Sequence, residues 1–85
     1  MERGIQWDGD AREDYCCKWQ KDKATLKRIN ALIKDARRDP FSGIGKPEPL
    51  KRDLSGLWSR RINDTDRLTY KVVGDVIVIL ACKGR

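Results

Sequence analysis

The sequence predicts an α+β domain in which a short N-terminal strand is followed by a two-helix hairpin and then by a mostly antiparallel, twisted sheet carrying the helices on one face. Three observations predict it. Apolar residues recur at helical spacing between residues 11 and 36, β-branched and aromatic residues crowd into the last thirty or so positions, and Gly74-Asp75 splits that stretch as a hairpin turn would. With 85 residues there is room for one domain, residues 1–85, and for one modest core.

In chain order, Gly4-Ile5-Gln6-Trp7 is a short apolar strand candidate that stops at Asp8-Gly9-Asp10. Asp10 with Glu13 has the spacing of a capping box and opens helix one, where Ala11, Tyr15 and Trp19 recur every four residues and form a single apolar stripe. Asp22 caps helix two. Its inner face is Leu26, Ile29, Ile33 and Ala36 with Leu32 beside them, while Lys23, Lys27, Arg28, Lys34, Arg37 and Arg38 face water, and Pro40 follows its end. From Phe41 to Lys51 two glycines and two prolines break any helical period, so an ordered loop is expected there. Leu57–Ile62, Arg67–Val73 and Val76–Cys82 then read as strands. The last is apolar on both faces, which places it inside the sheet rather than at an edge.

Composition narrows the function classes. Lys and Arg number 19 against 13 Asp and Glu, a formal charge of +6, which favours polyanions or acidic partners. There is no His, so the side chain that titrates nearest neutral pH is missing, and three scattered cysteines leave no plausible zinc site. No metal or cofactor is expected. Cys16, Cys17 and Cys82 are odd in number and two are adjacent, a poor disulfide framework, so reduced thiols that serve packing are expected. No stretch approaches the ~20 apolar residues of a membrane span, and no apolar signal core follows the N-terminus. A soluble, cytoplasmic protein is expected.

The candidate chemistry centres on Glu48. It stands between Pro47 and Pro49, where the following proline pushes its backbone toward extended conformations and holds the carboxylate stiffly. Lys46, Lys51 and Arg52 lie beside it and favour the ionised form that a general base needs. Further on, Arg60 and Arg61 adjoin Trp58, and Arg67 opens the next strand. Arg61 and Arg67 share a face of the sheet if a five-residue connection joins them and lie on opposite faces if it has four; alternation alone leaves both registers open. If they converge, one carboxylate meets three or four cations, a set suited to gripping a phosphodiester and its developing charge. Trp58 and Tyr70 are read as core rather than as a stacking platform.

A family resemblance sharpens this reading. The run Ile33-Lys34-Asp35-Ala36-Arg37-Arg38-Asp39-Pro40-Phe41, then Gly45-Lys46-Pro47-Glu48-Pro49-Leu50-Lys51, then Leu54-Ser55-Gly56-Leu57-Trp58-Ser59-Arg60-Arg61-Ile62 and Arg67-Leu68-Thr69-Tyr70 closely resembles the YoeB/Txe toxins of the RelE superfamily. The likeness covers almost the whole chain. It implies a RelE-like fold and an enzyme that enters the A site of the 70S ribosome and cuts messenger RNA there. It implies that Glu48 is the base acting on the ribose 2′-hydroxyl and that Arg67 stabilises the phosphate. Lys51 and Arg61 match positions that contact the RNA backbone, and Lys46 and Arg60 join them as expected RNA contacts. It also implies a cognate acidic antitoxin of the YefM type, operator DNA bound through the toxin–antitoxin complex, and a homodimer.

The likeness lapses at the end. Family members usually close with His-Tyr, the His acting as general acid toward the 5′-oxygen and the Tyr stacking on a base, whereas here Arg85 falls where that His is expected and no Tyr follows. Arginine stays protonated and is a poor acid at neutral pH, so a rate lower by ~100- to 10,000-fold is expected, as in a disabled variant. The rival reading is a non-catalytic module that binds RNA or the ribosome, or a DNA-binding corepressor acting with the antitoxin.

Overall fold

The computed structural model describes residues 3–9, 11–13, 15 and 22–84. The capping box at Asp10, Trp19 of the first apolar stripe, Cys16, Cys17 and Arg85 lie outside the described residues. The elements are β1 (Gly4–Trp7), α1 (Ala11–Glu13), α2 (Lys23–Arg38), β2 (Glu48–Pro49), a 3-10 turn (Arg52–Leu54), β3 (Leu57–Arg61), β4 (Asp66–Val73) and β5 (Val76–Gly84).

The second helix forms for the reasons its sequence suggests. Asp22 caps it, its carboxylate accepting from the Thr25 amide at 3.0 Å and the Thr25 hydroxyl at 2.8 Å, and these bonds hold the Asp22 pKa below the usual carboxylate value. Arg37 and Arg38 in the last turn oppose the negative end of the helix dipole. Its buried face is Ile29, Leu32, Ile33 and Ala36. Burying a side chain of the Leu or Ile kind contributes about 1.5–3 kcal/mol, so this face, not intrinsic propensity, holds the helix on the sheet.

The sheet has the order β1-β5-β4-β3-β2; β1 pairs with β5 in parallel and every other pair is antiparallel. Thus β5 lies inside the sheet, as its two apolar faces require. The helical side of the sheet carries Leu68 and Tyr70 of β4 and Ile77, Ile79 and Cys82 of β5, all buried against α2 and Ala11. A register shift makes this possible: Thr69 pairs with Ala81 but Tyr70 pairs with Ile79, leaving Leu80 as a bulged extra residue. The bulge switches the alternation, so that Cys82 rather than Ala81 joins Ile77 and Ile79 in the core. Gly74, at φ +59°, turns the chain between β4 and β5.

Two expectations are corrected. The segment expected to be loop contains β2, whose Glu48 and Pro49 pair with Ser59 and Trp58 of β3. A strand of two residues leaves no periodic trace, and a proline is tolerated in it because β2 is the sheet edge. Arg60, expected to contact RNA, is completely buried. All five of its N–H groups are used within the protein: Nε donates to the Tyr70 hydroxyl (3.0 Å), Nη1 to Asp35 Oδ2 (2.6 Å) and the Ile44 carbonyl (3.0 Å), and Nη2 to the Asp39 (2.7 Å) and Ser42 (3.1 Å) carbonyls. With no donor and no surface left, it cannot reach a phosphate. Trp58, which packs on the core, and the fully buried Tyr70 are where the sequence places them.

Candidate functional site

The loop that delivers Glu48 is built around Arg60. The Arg60 guanidinium gathers three loop carbonyls, and Asp35, at the end of α2, also accepts the Ile44 amide at 3.0 Å. That cation is the main reason the Asp35 carboxyl titrates below its usual value. Tyr70 completes the cluster by donating its hydroxyl to the Pro40 carbonyl at 2.6 Å. Burial raises the Tyr70 pKa above its ordinary 10.0, against the smaller opposing effect of the Arg60 hydrogen bond.

From this anchor the chain passes close over β3. Gly45 has φ +78° and its carbonyl accepts the Arg61 amide at 2.7 Å; a Cβ there would lie 2.5 Å from Leu32 Cδ2 and 3.2 Å from Arg60 Cβ. Lys46 follows in the left-handed region at φ 51°. Two successive left-handed residues and Pro47 swing the chain outward, and Glu48 then enters the sheet edge with its backbone extended.

Strand register decides what meets Glu48. Glu48 is the direct partner of Ser59, Ser59 of Thr69, and Arg61 of Arg67. The two arginines therefore share a face, the five-residue connection being the one realised, and Glu48, Ser59 and Thr69 share it with them. No described helix covers this face. Arg67 Nη1 donates to Glu48 Oε1 at 2.7 Å, with Glu48 about half exposed and Arg67 one-third exposed. Arg61 is exposed opposite Arg67, and its carbonyl accepts Arg28 Nη2 at 3.4 Å. Like charges directly across a strand pair are destabilising. One carboxylate offsets half of this, and a surplus positive charge remains on the face. Lys46 and Lys51 are exposed on either side of Glu48, and neither pairs with an acid among the described residues. A separate hollow of about 240 Å³ on the same face, lined by Gln6, Asp8, Lys71, Val73, Val76 and Val78, lies toward the opposite edge of the sheet.

Of the expected site residues, then, Glu48, Arg61 and Arg67 come together, Lys46 and Lys51 flank them, Arg60 is turned inward, and Arg85 falls outside the described residues. Sequence reasoning passed over Ser59, buried at 1% exposure in the middle of the face, and Asp35, the acid that anchors the loop. An aspartate amid the basic residues closing α2 was the available signal for the second. A carboxylate in contact with a guanidinium, with a second guanidinium adjacent, can accept a proton while an anion is held within the same few ångströms.

Residues 7–85 match the family described as YoeB-like toxin of bacterial type II toxin-antitoxin system. The chain is 52% identical over 77 residues to Toxin YoeB of Escherichia coli K12, covering 91% of this chain and 92% of that one. Among solved structures, a YoeB/ParE toxin from Agrobacterium tumefaciens superposes with a TM-score of 0.91 at 39% identity, covering 96% of this chain and 98% of that one. YoeB from Staphylococcus aureus, solved as a dimer and in a heterotetrameric complex with YefM, superposes with a TM-score of 0.89 at 43% identity, covering 100% of this chain and 99% of that one. The fold is that of a RelE-superfamily toxin, and the chain belongs to the YoeB-like toxins of type II toxin–antitoxin systems.

Proposed function

We propose that this toxin is a ribosome-dependent messenger-RNA endoribonuclease that cuts in the ribosomal A site. The observation that supports it best is the 2.7 Å contact between Glu48 and Arg67 on an open sheet face where Arg61 stands directly opposite Arg67.

Glu48 takes the proton of the ribose 2′-hydroxyl, and the resulting oxygen attacks the adjacent phosphorus. The bond from phosphorus to the 5′-oxygen breaks, leaving a 2′,3′-cyclic phosphate on one fragment and, once a proton is gained, a 5′-hydroxyl on the other. Arg67 and Arg61 neutralise the non-bridging oxygens as charge develops on them, and Lys46 and Lys51 hold the flanking backbone in the bent geometry that in-line attack needs. The ribosome supplies the positioned message. Arg85 stabilises charge near the leaving oxygen but is a poor proton donor, so cleavage is slow.

The Staphylococcus aureus complex supports an antitoxin of the YefM type for this chain, acidic and partly disordered, whose flexible segment folds over the cationic face and occludes Glu48. The dimer from the same organism supports a homodimer, and operator DNA is bound through the antitoxin complex. Action on ribosomes places the toxin in the cytoplasm; among the described residues no helix is long and apolar enough to cross a membrane.

The test is primer extension on a translated message, with and without ribosomes. Ribosome-dependent cuts within codons, lost when the scissile nucleotide carries a 2′-deoxyribose, are expected. Ribosome binding without any cutting would instead favour a non-catalytic module.

A further inference from the structure

Ser59 carries a buried hydroxyl that finds no hydrogen-bond partner among the described residues, and the residue is 1% exposed. Such groups are rare in folded proteins because a buried polar atom left unmade costs free energy that an alanine in its place avoids. The location is informative. Ser59 lies in the middle of β3 on the face that no described helix covers, with Glu48 its direct partner on one side, Thr69 on the other, and Arg61 two residues along the strand. The unmatched donor therefore stands beside the one carboxylate of the site.

The other half of the inference comes from Arg67. At rest its guanidinium donates to Glu48, so carboxylate and guanidinium satisfy each other. A phosphodiester drawn to Arg67 and Arg61 brings a second anion to the same fork, and the carboxylate is repelled from it. Displaced without a donor, the carboxylate would be free to rotate on a long flexible side chain. Direct cross-strand neighbours have Cβ atoms about 4.5–5.5 Å apart, within the span of a glutamate carboxylate and a serine hydroxyl.

We infer that Ser59 is a positioning residue for Glu48: when substrate phosphate takes over Arg67, the Ser59 hydroxyl donates to one carboxylate oxygen and aims the other at the 2′-hydroxyl. Glu48 thus has two stations on one strand pair. On Arg67 it occupies the anion site, and on Ser59 it leaves that site to the phosphate and is oriented as a base. The Ser59 hydroxyl, unpartnered among the described residues, is the second station. This inference rests on the ribonuclease reading above.

The test is single-turnover cleavage of a translated message on ribosomes by wild type, Ser59→Ala, Ser59→Thr, Glu48→Gln and the Ser59→Ala/Glu48→Gln double variant, with thermal unfolding followed in parallel. A hydrogen bond to a charged group corresponds to a factor of about 10 to 100, so Ser59→Ala is expected to slow the cleavage step by that much at an unchanged half-saturating toxin concentration. Ser59→Thr, which keeps the hydroxyl, is expected to restore most of the rate. In the Glu48→Gln background the further loss from Ser59→Ala is expected to stay within about twofold, because the effect passes through Glu48. Equal losses in both backgrounds, or a Ser59→Ala rate matching wild type while Glu48→Gln is inactive, would overturn this inference and leave the ribonuclease reading intact. Full activity of Glu48→Gln would overturn both.

Discussion

Arg60 Nη1 lies 2.6 Å from Asp35 Oδ2, and this contact between a fully buried guanidinium and a largely buried carboxylate ties the last turns of α2 to the strand beside which Glu48 is laid. Removing the cation leaves Asp35 with the Ile44 amide and the more distant Arg38 guanidinium, and takes a donor from three carbonyls. Breaking a buried charge pair by deleting one partner costs about 3–5 kcal/mol, so Arg60→Met is expected to lower unfolding free energy by that order in urea titrations. Arg60→Lys is expected to recover only part of it, since an ammonium has three donors for a site with five acceptors.

The same cluster sets the pH limits of stability. Arg60 holds the Asp35 pKa below its unfolded value of 3.8. The stabilisation is therefore present above pH ~4 and is lost as pH falls through the lower folded value. Tyr70 is shifted the other way, mainly by burial, so its contribution is present below its unfolded pKa of 10.0 and is lost as pH rises through the higher folded value. Asp35→Asn is expected to flatten part of the acid limb, to which Asp22 and Asp39, also lowered, contribute as well. Tyr70→Phe is expected to remove the alkaline step. Denaturation midpoints measured from pH 2 to pH 11 check both.

Gly45 is a point of close approach between the loop, α2 and β3 on the path to Glu48. Gly45→Ala places a methyl group 2.5 Å from Leu32 Cδ2 on a backbone at φ +78°. Overpacking with left-handed strain is expected to cost about 1–3 kcal/mol in chemical denaturation. The accompanying shift of β2 is expected to reduce cleavage more than the lost stability explains, measured at a temperature where the variant remains folded.

Arg85→His installs a side chain able to donate a proton near neutral pH where arginine cannot. Cleavage on ribosomes is expected to rise by about 100-fold or more, with a new basic limb in the pH–rate profile reporting the imidazole. No gain in rate would show that the leaving oxygen takes its proton from elsewhere.

Local features were legible where one physical pattern dominated. The stripe of Ile29, Leu32, Ile33 and Ala36, the Asp22 cap and the Gly74-Asp75 turn each follow from local chemistry, and each is present. What stayed hidden depends on pairing between distant residues. Arg60 and Arg61 are adjacent and chemically identical, yet one is sealed under α2 and the other is exposed, because register assigns them to opposite faces. The register that aligns Arg61 with Arg67 is fixed by the turn, where the Asn63 side chain accepts the Thr65 and Asp66 amides, and by pairing along the whole of β3. The two-residue β2 and the bulge at Leu80 are likewise products of the assembled sheet, too short to mark a periodicity.

The most direct measurement is single-turnover cleavage by Glu48→Gln on programmed ribosomes, with ribosome binding followed in the same samples. The substitution keeps the shape of the side chain while removing its charge and its capacity to take a proton, and the surface pair with Arg67 is worth about 1 kcal/mol or less, so fold and binding are expected to persist. The expected result is a rate at least about 100-fold lower with binding unchanged. A rate within about twofold of wild type would contradict the assignment of Glu48 as the base.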